Sequence, residues 1–452
     1  PMSLPSEDIL VRSTLREVSL LDATSSITII GSSNLRNEPS QHFQGLTQSI
    51  PNLNWAGGTS RPRYFQIRGV GERSLYANEG PPNFSVGFVI DDIDFAGIGM
   101  PAILLDINQI EIFRGPQSSV YGANTLAGLI SMQSNAPKNQ FESTIQIGIT
   151  SDNGKNIGLI INSPVIENLN TRFTIYSGQE NGFRENVYQN NIDSNSKSEK
   201  LVRNKTIWSP TSNFQTVITS LIVDQDNKYD VWAPDNNELL QTYSNSNGKD
   251  AQSSKAISIK NSWFNTGNKN LISITAYSIN KSEHSYDGDW GNSDFWSQAP
   301  YNVDGWDYSA IETTLRDRST FTQEFRLLEN INNRSSFVLG IYFKNQIENY
   351  DLNGYWGGDY SLAGKFENLN IAGYFQMDKT LSNEINFIIN ARLDHNRINY
   401  SSSNYYGEIN DSVENKDTNW GIKSSVSYKL NPKSNLYLSL SRGFKAGGIN
   451  QN

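Results

Sequence analysis

From about residue 139 to the end, short stretches of alternating polar and apolar residues recur. Between Phe141 and Thr150, Ile145, Ile147 and Ile149 fall on one face and Glu142, Thr144 and Gln146 on the other. From Ser336 to Ile347, Phe337, Leu339, Ile341 and Phe343 alternate with Val338, Gly340, Tyr342 and Lys344. Within Ile385 to Asn396, Phe387, Ile389, Ala391 and Leu393 oppose Asn386, Asn390, Arg392 and Asp394. A period of two is a strand signature. It predicts strands near 141–150, 157–165, 171–180, 198–208, 213–224, 254–264, 270–281, 319–328, 335–347, 368–378, 384–398, 418–429 and 435–445, about 13 in all. Brief links such as 166–170, 209–212 and 381–383 follow every second strand, and mostly long polar links (181–197, 225–253, 282–318, 399–417) lie between. One apolar and one polar face suits a strand between lipid and a wet lumen, but a β-sandwich alternates too. Short turns on one side and long loops on the other favour the outer-membrane barrel.

Residues 20 to 138 read differently, with short segments and dense turn signals. Ile27 to Ile30 is a strand candidate, and Ser40 to Ile50 reads as a short helix with Phe43, Leu46 and Ile50 on one face before Pro51. Ile110 and Ile112 alternate with Gln109 and Glu111 as a strand that breaks at Arg114-Gly115-Pro116. The line continues through Tyr121-Gly122 and Gly128 into an apolar strand, Leu129 to Met132. Read alone, this is a compact mixed α/β unit.

The run IEIFRGPQSSVYGANTLAGLISMQSNAP, from Ile110 to Pro137, resembles the closing signature of the plug domain of TonB-dependent outer-membrane receptors. Two stretches at the family's usual separation support the resemblance. Phe65 to Gly71 is similar to the earlier IRG-x-G signature, with Ile67, Arg68 and Gly69, and Val89 to Ile93 is similar to the central strand bearing Asp91. Asp92 stands where the family usually has Gly, which puts the turn after Asp91 in question. With Arg114, Gly115, Pro116, Tyr121 and Gly122, these residues form the expected plug signature. The resemblance implies a mainly β protein: a flexible segment at 1–19, an α/β plug at 20–138, and antiparallel transmembrane β-barrel strands at 139–452. The family's plugged barrels have about 22 strands. The last segment, LYLSLSRGFKAGGINQN, resembles an interior barrel strand, so the barrel is expected to be C-terminally incomplete and unclosed.

Composition narrows the picture further. Mean hydropathy is −0.53, and no run of 18 or more apolar residues offers a transmembrane helix, which leaves barrel strands untouched. There are no cysteines, so neither disulfides nor thiolate metal sites arise. A net charge of −9 argues against a nucleic-acid surface. The three histidines, His42, His284 and His395, lack metal-ligand spacing and read as structural. There is no P-loop and no serine nucleophile elbow, and no catalytic residue, metal or cofactor is expected. Asp287 to Asp294 looks faintly like a calcium loop but lacks the terminal Glu, and reads as a solvated loop. Residues 1 to 30 carry no secretory signal pattern.

Glu7, Asp8, Ile9, Leu10 and Val11 resemble a TonB box, the segment that pairs edge-on with the energising protein TonB by strand addition. The plug loops at 52–63 and 72–85 offer Trp55, Arg61, Arg63, Arg73 and Tyr76 as ligand contacts. An arginine fork suits an anionic ligand, though pairing with barrel carboxylates reads equally well. The long-loop aromatics Trp290, Trp296, Trp306, Tyr355 and Trp356 offer stacking faces, or pack among themselves. The family resemblance implies a monomeric importer set in outer-membrane lipid, energised by TonB and carrying a small-molecule ligand. Ferric siderophore leads on family frequency, with a saccharide or cobalamin as the alternative. A surface β-sandwich binding protein is the alternative from another class.

Overall fold

In the computed structural model, residues 10–11, 15–16, 18–36, 41–56, 58–72, 83–264, 268–303, 311–354, 361–404 and 410–449 are described. Thirteen strands form one antiparallel sheet in chain order, from Glu142–Thr150 to Ser434–Arg442, each paired with the next. These match the alternating segments one for one, and they make a single curved wall rather than the two facing sheets of a sandwich. No ladder joins the first strand to the last among the described residues.

Side-chain parity explains the wall. Along Lys249–Trp263, Asp250, Gln252, Ser254 and Ser258 are buried facing inward, while Ile257 and Trp263 face outward. Ile145, Ile147 and Ile149 are 68%, 74% and 82% exposed on the outer face. In water each would forgo about 2 kcal/mol of burial; against hydrocarbon that loss disappears. No helix among the described residues is long and apolar enough to cross a membrane.

The strands run longer than the alternation indicates. Segment 319–328 is the middle of Ile311–Asn332, and 368–378 the middle of Ser361–Thr380. Beyond the apolar belt the backbone ladder continues, but its outward positions turn charged, as where Lys281 meets Asp317 at 3.3 Å. Hydrogen bonding does not need alternating polarity, so the long links shrink; 225–253 reduces to 229–248.

Inside the wall, a five-stranded sheet runs in the order Ser26–Gly31, Ile107–Arg114, Gly128–Ser134, Val86–Ile90, Ile93–Asp94. Val86–Ile90 lies parallel to Gly128–Ser134 and the other pairs are antiparallel. A helix at Phe43–Thr47, shorter than expected, buries Phe43 and Leu46 and is capped by His42. Gly115 takes φ +99, and a side chain on Gly128 would strike the Phe113 carbonyl, so both glycines are required by the backbone. The turn after Asp91 forms despite Asp92: the two aspartates take φ +48 and +69 and Ile90 pairs with Ile93. Short side chains that bond locally tolerate that region.

One polar face is not solvated. Glu111 is fully buried and accepts from Gln109 Nε2 (2.8 Å) and Gln133 Nε2 (3.1 Å). The N-terminal segment approaches this face, with Gln109 also donating to the Leu10 carbonyl at 2.9 Å. The inner domain's apolar core is continuous with the wall, which adds Tyr176, Leu201, Leu221, Val223, Ala256 and Ala276.

Candidate functional site

A charge removed from water needs a partner, and the inner domain and wall supply partners to each other at two depths. Toward the long loops, Arg61 grips Glu199 through Nε (2.7 Å) and Nη2 (2.9 Å), and Arg63 pairs with Asp250. The Asp250 carboxylate also accepts the Ser60 amide at 2.6 Å. Toward the short turns the signs reverse. Asp91 meets Lys205 at 2.7 Å, Asp94 meets Lys344 at 2.7 Å, and Asp106 takes two bonds from Arg172 at 2.8 and 2.6 Å. Burial alone would raise the Asp91 carboxyl, but Lys205 and then Arg203 hold it below its ordinary value. His42 accepts from the Gln44 amide (3.1 Å) and donates from Nε2 to the Met100 carbonyl (2.9 Å), which fixes the neutral tautomer. Burial, then the charge of Arg61, push it down to about 4.

Arg61 and Arg63, read either as ligand contacts or as partners of barrel carboxylates, are buried and take the second role, Arg61 through two bonds to Glu199 and Arg63 through one nitrogen to Asp250. Trp55 packs on the core beside Phe65, its ladder partner. Trp290 is 41% exposed and stacks on Trp232 at 5.8 Å, whereas Trp296 packs among Phe295 and Tyr301. Arg73, Tyr76, Trp306, Tyr355 and Trp356 lie outside the described residues. The 287–294 stretch is not a solvated loop. Asp287, Asp289 and Asn292 are buried; Asp287 accepts the Asn245, Ser246 and Asp289 amides, and Asp289 accepts that of Gly291.

The signature residues converge. Ile67 is in the core, and Arg68 and Gly69 form a tight turn in which Ile67 and Val70 exchange backbone bonds. Arg114 donates to the Pro51 carbonyl at 3.2 Å, and burial, then the charge of Arg68, hold it below its usual range. Tyr121 and Gly122 border a cavity of about 130 Å³ against the wall, with Asp92, Arg326, Lys344 and Arg392. Pro116 lies under Gly443, where residues 443–449 turn inward and Ser118 Oγ donates to the Phe444 carbonyl at 3.1 Å.

Glu7, Asp8 and Ile9 lie outside the described residues; Leu10 and Val11 pair with Val18 and Ser19 in a two-residue ladder, and Val11 is fully buried. Just beyond, the Leu15 amide donates to Gln376 Oε1 (2.9 Å), and Arg16 donates to the Glu329 (3.2 Å) and Phe337 (3.0 Å) carbonyls at the rim of short turns.

A family model, the TonB-dependent Receptor Plug Domain, matches residues 19–129. These residues form a plug domain of that family. The wall around it shares the fold of the solved plug-and-barrel receptors. The ferric yersiniabactin uptake receptor of Yersinia pestis superposes with a TM-score of 0.79 at 16% identity, covering 94% of this chain and 65% of that one. A siderophore receptor of Acinetobacter baumannii gives 0.76 at 14% identity, with 94% and 65% coverage. The open form of a ferric-catecholate import receptor of E. coli K12 gives 0.70 at 14%, with 95% and 71%. The chain thus spans about two thirds of the length of these structures.

Sequence reasoning missed the wall partners Glu199, Asp250, Arg172, Lys205 and Lys344. Strand parity was the available signal: Glu199, Arg203 and Lys205 share one face of Lys197–Thr211, so all three charges turn inward together.

Proposed function

We propose that this chain forms the plug and part of the barrel of an energised importer of the bacterial outer membrane, with a ferric siderophore as its cargo. The observation that carries this reading is a plug seated within the wall whose N-terminal strand, Leu10–Val11, is paired through a ladder of two residue pairs. A two-residue ladder is weak and readily exchanged for a longer one, which is what strand addition by TonB requires. The similar structures are siderophore or ferric-catecholate receptors, which supports the cargo. The exposure of Trp290 on the long-loop side supports assigning it a first contact with the ligand.

The test is capture of the full-length receptor by the periplasmic C-terminal domain of TonB, with and without residues 7–11, beside uptake of a panel of ferric siderophores. Capture enhanced by one siderophore and lost on deletion is the expected result. Capture indifferent to the deletion removes the TonB-box assignment, and energy-independent or absent iron uptake removes the cargo.

A further inference from the structure

The inner tier contains more cation than its ion pairs alone require. Across the ladder between Leu169–Glu180 and Lys197–Thr211, Arg172 stands directly opposite Lys205 and Thr174 opposite Arg203. Residues 172 and 174, like 203 and 205, share a strand face, so three cations and one hydroxyl gather on neighbouring wall positions. Their partners come from the plug. Arg172 and the Thr174 hydroxyl (2.7 Å) both donate to Asp106, Lys205 reaches Asp91 and the Ser134 carbonyl (3.0 Å), and Arg203 donates to the Leu105 carbonyl. On the wall itself, Glu142 stands 3.8 Å from Arg172, beyond hydrogen-bond reach.

Lys344, like these cations, is paired with the plug, through Asp94, but three buried wall arginines are arranged differently. Arg318 is paired with Glu348, Arg326 with Glu324, and Arg392 with Asp394, all within the wall, so these stay neutralised whatever the plug does. The Arg172–Arg203–Lys205 group does not. Asp91 and Asp106 sit at φ +48 and +62, a region that short side chains bonding locally tolerate. The bidentate geometry of Asp106 on Arg172 is that of any planar oxyanion on a guanidinium.

We propose that Arg172, Thr174, Arg203 and Lys205 form an anion-binding site in the barrel wall, occupied by the plug's own carboxylates in the seated state and offered to an anionic group of the cargo when the plug withdraws. The inference rests on the importer reading for its cargo, but the site itself is testable without it. Plug carboxylates hold Arg172, Thr174 and Lys205, and the Leu105 carbonyl holds Arg203, so withdrawal of the plug frees all four groups together on adjacent strands. The class of cargo it favours carries exposed carboxylate, catecholate or phosphate oxygens.

The experiment uses the full-length receptor in planar bilayers, with urea raised on the side of the short turns until the plug loosens and conductance appears. Inorganic phosphate is then titrated as the probe. Block of the current by phosphate, weakened about tenfold or more by Arg203→Gln with Lys205→Gln, is the expected result. Arg172→Lys, which keeps the charge and loses the fork, gives an intermediate block and controls for a wall disturbed by the double change. An opened wild-type pore indifferent to phosphate, or block that survives the double substitution, overturns the site. A receptor blocked in this way that fails TonB capture and iron uptake keeps the anion site and loses the importer reading.

Discussion

The two tiers of plug–wall contact are opposite in sign. Toward the long loops Arg61 and Arg63 of the plug meet wall carboxylates, with Glu72–Lys445 the exception; toward the short turns Asp91 and Asp106 of the plug meet wall cations, with Arg16–Asp378 at the rim the exception. A one-signed interface would hold the plug at several heights with similar energy. A two-signed interface opposes sliding, because a plug displaced toward the short turns carries Arg61 and Arg63 toward Arg203 and Lys205. Buried ion pairs add little net stability, since desolvation offsets attraction. Their effect here is on placement: the wrong position leaves buried charge uncompensated.

The outer tier breaks most sharply. Arg61→Ala leaves Glu199 buried with only the amides of Gln225 and Asn227, and is expected to destabilise the seated plug by about 3–5 kcal/mol. The urea midpoint for proteolysis of the plug in the full-length receptor measures this. Acid acts next, through His42. Its folded value is about 4 against about 6.5 unfolded, so the unfolded chain binds the proton first. Stability present above pH 6.5 therefore declines as pH falls toward 4, by about 3 kcal/mol in total. The same urea assay across that window reads it, and His42→Asn flattens the profile. In the inner tier, Asp106→Asn keeps a residue that tolerates left-handed backbone but loses the charge on Arg172, for about 2 kcal/mol. Lys281→Ala, on the exposed outer face, changes the midpoint by less than about 1 kcal/mol. An Asp106→Asn effect equal to that of Lys281→Ala would show that the inner pairs are not under the same constraint as the outer ones.

Much of the architecture was legible because lipid and lumen impose opposite demands on successive residues. The isoleucines 145, 147 and 149 announce their strand without help from any neighbour. Strand ends were illegible for the complementary reason: past Lys281 the outward side chains are polar while the backbone ladder continues. The plug signature was legible through Gly115 and Gly128, where only glycine fits. Arg61 and Arg63 were correctly placed in the plug, but their partners lie 138 and 187 residues away, and local pattern carries no such distance. Glu111 shows a similar limit: alternation marked it polar, and only the fold reveals that this polar face is covered.

Ser26–Gly31 is an outermost strand of the plug sheet and the first one reached from the N-terminus; its single neighbour in that sheet is Ile107–Arg114. Under tension applied at the N-terminus, the chain meets its weakest joints in series. The Leu10–Val11 ladder comes first, then the Arg16 clamp on the rim, then a strand fastened along one side. Because the three lie in series along the chain, the load at any moment falls on a few bonds rather than on the whole plug. Had Gly128–Ser134 led instead, with neighbours on both sides, the same pull would have met two ladders at once.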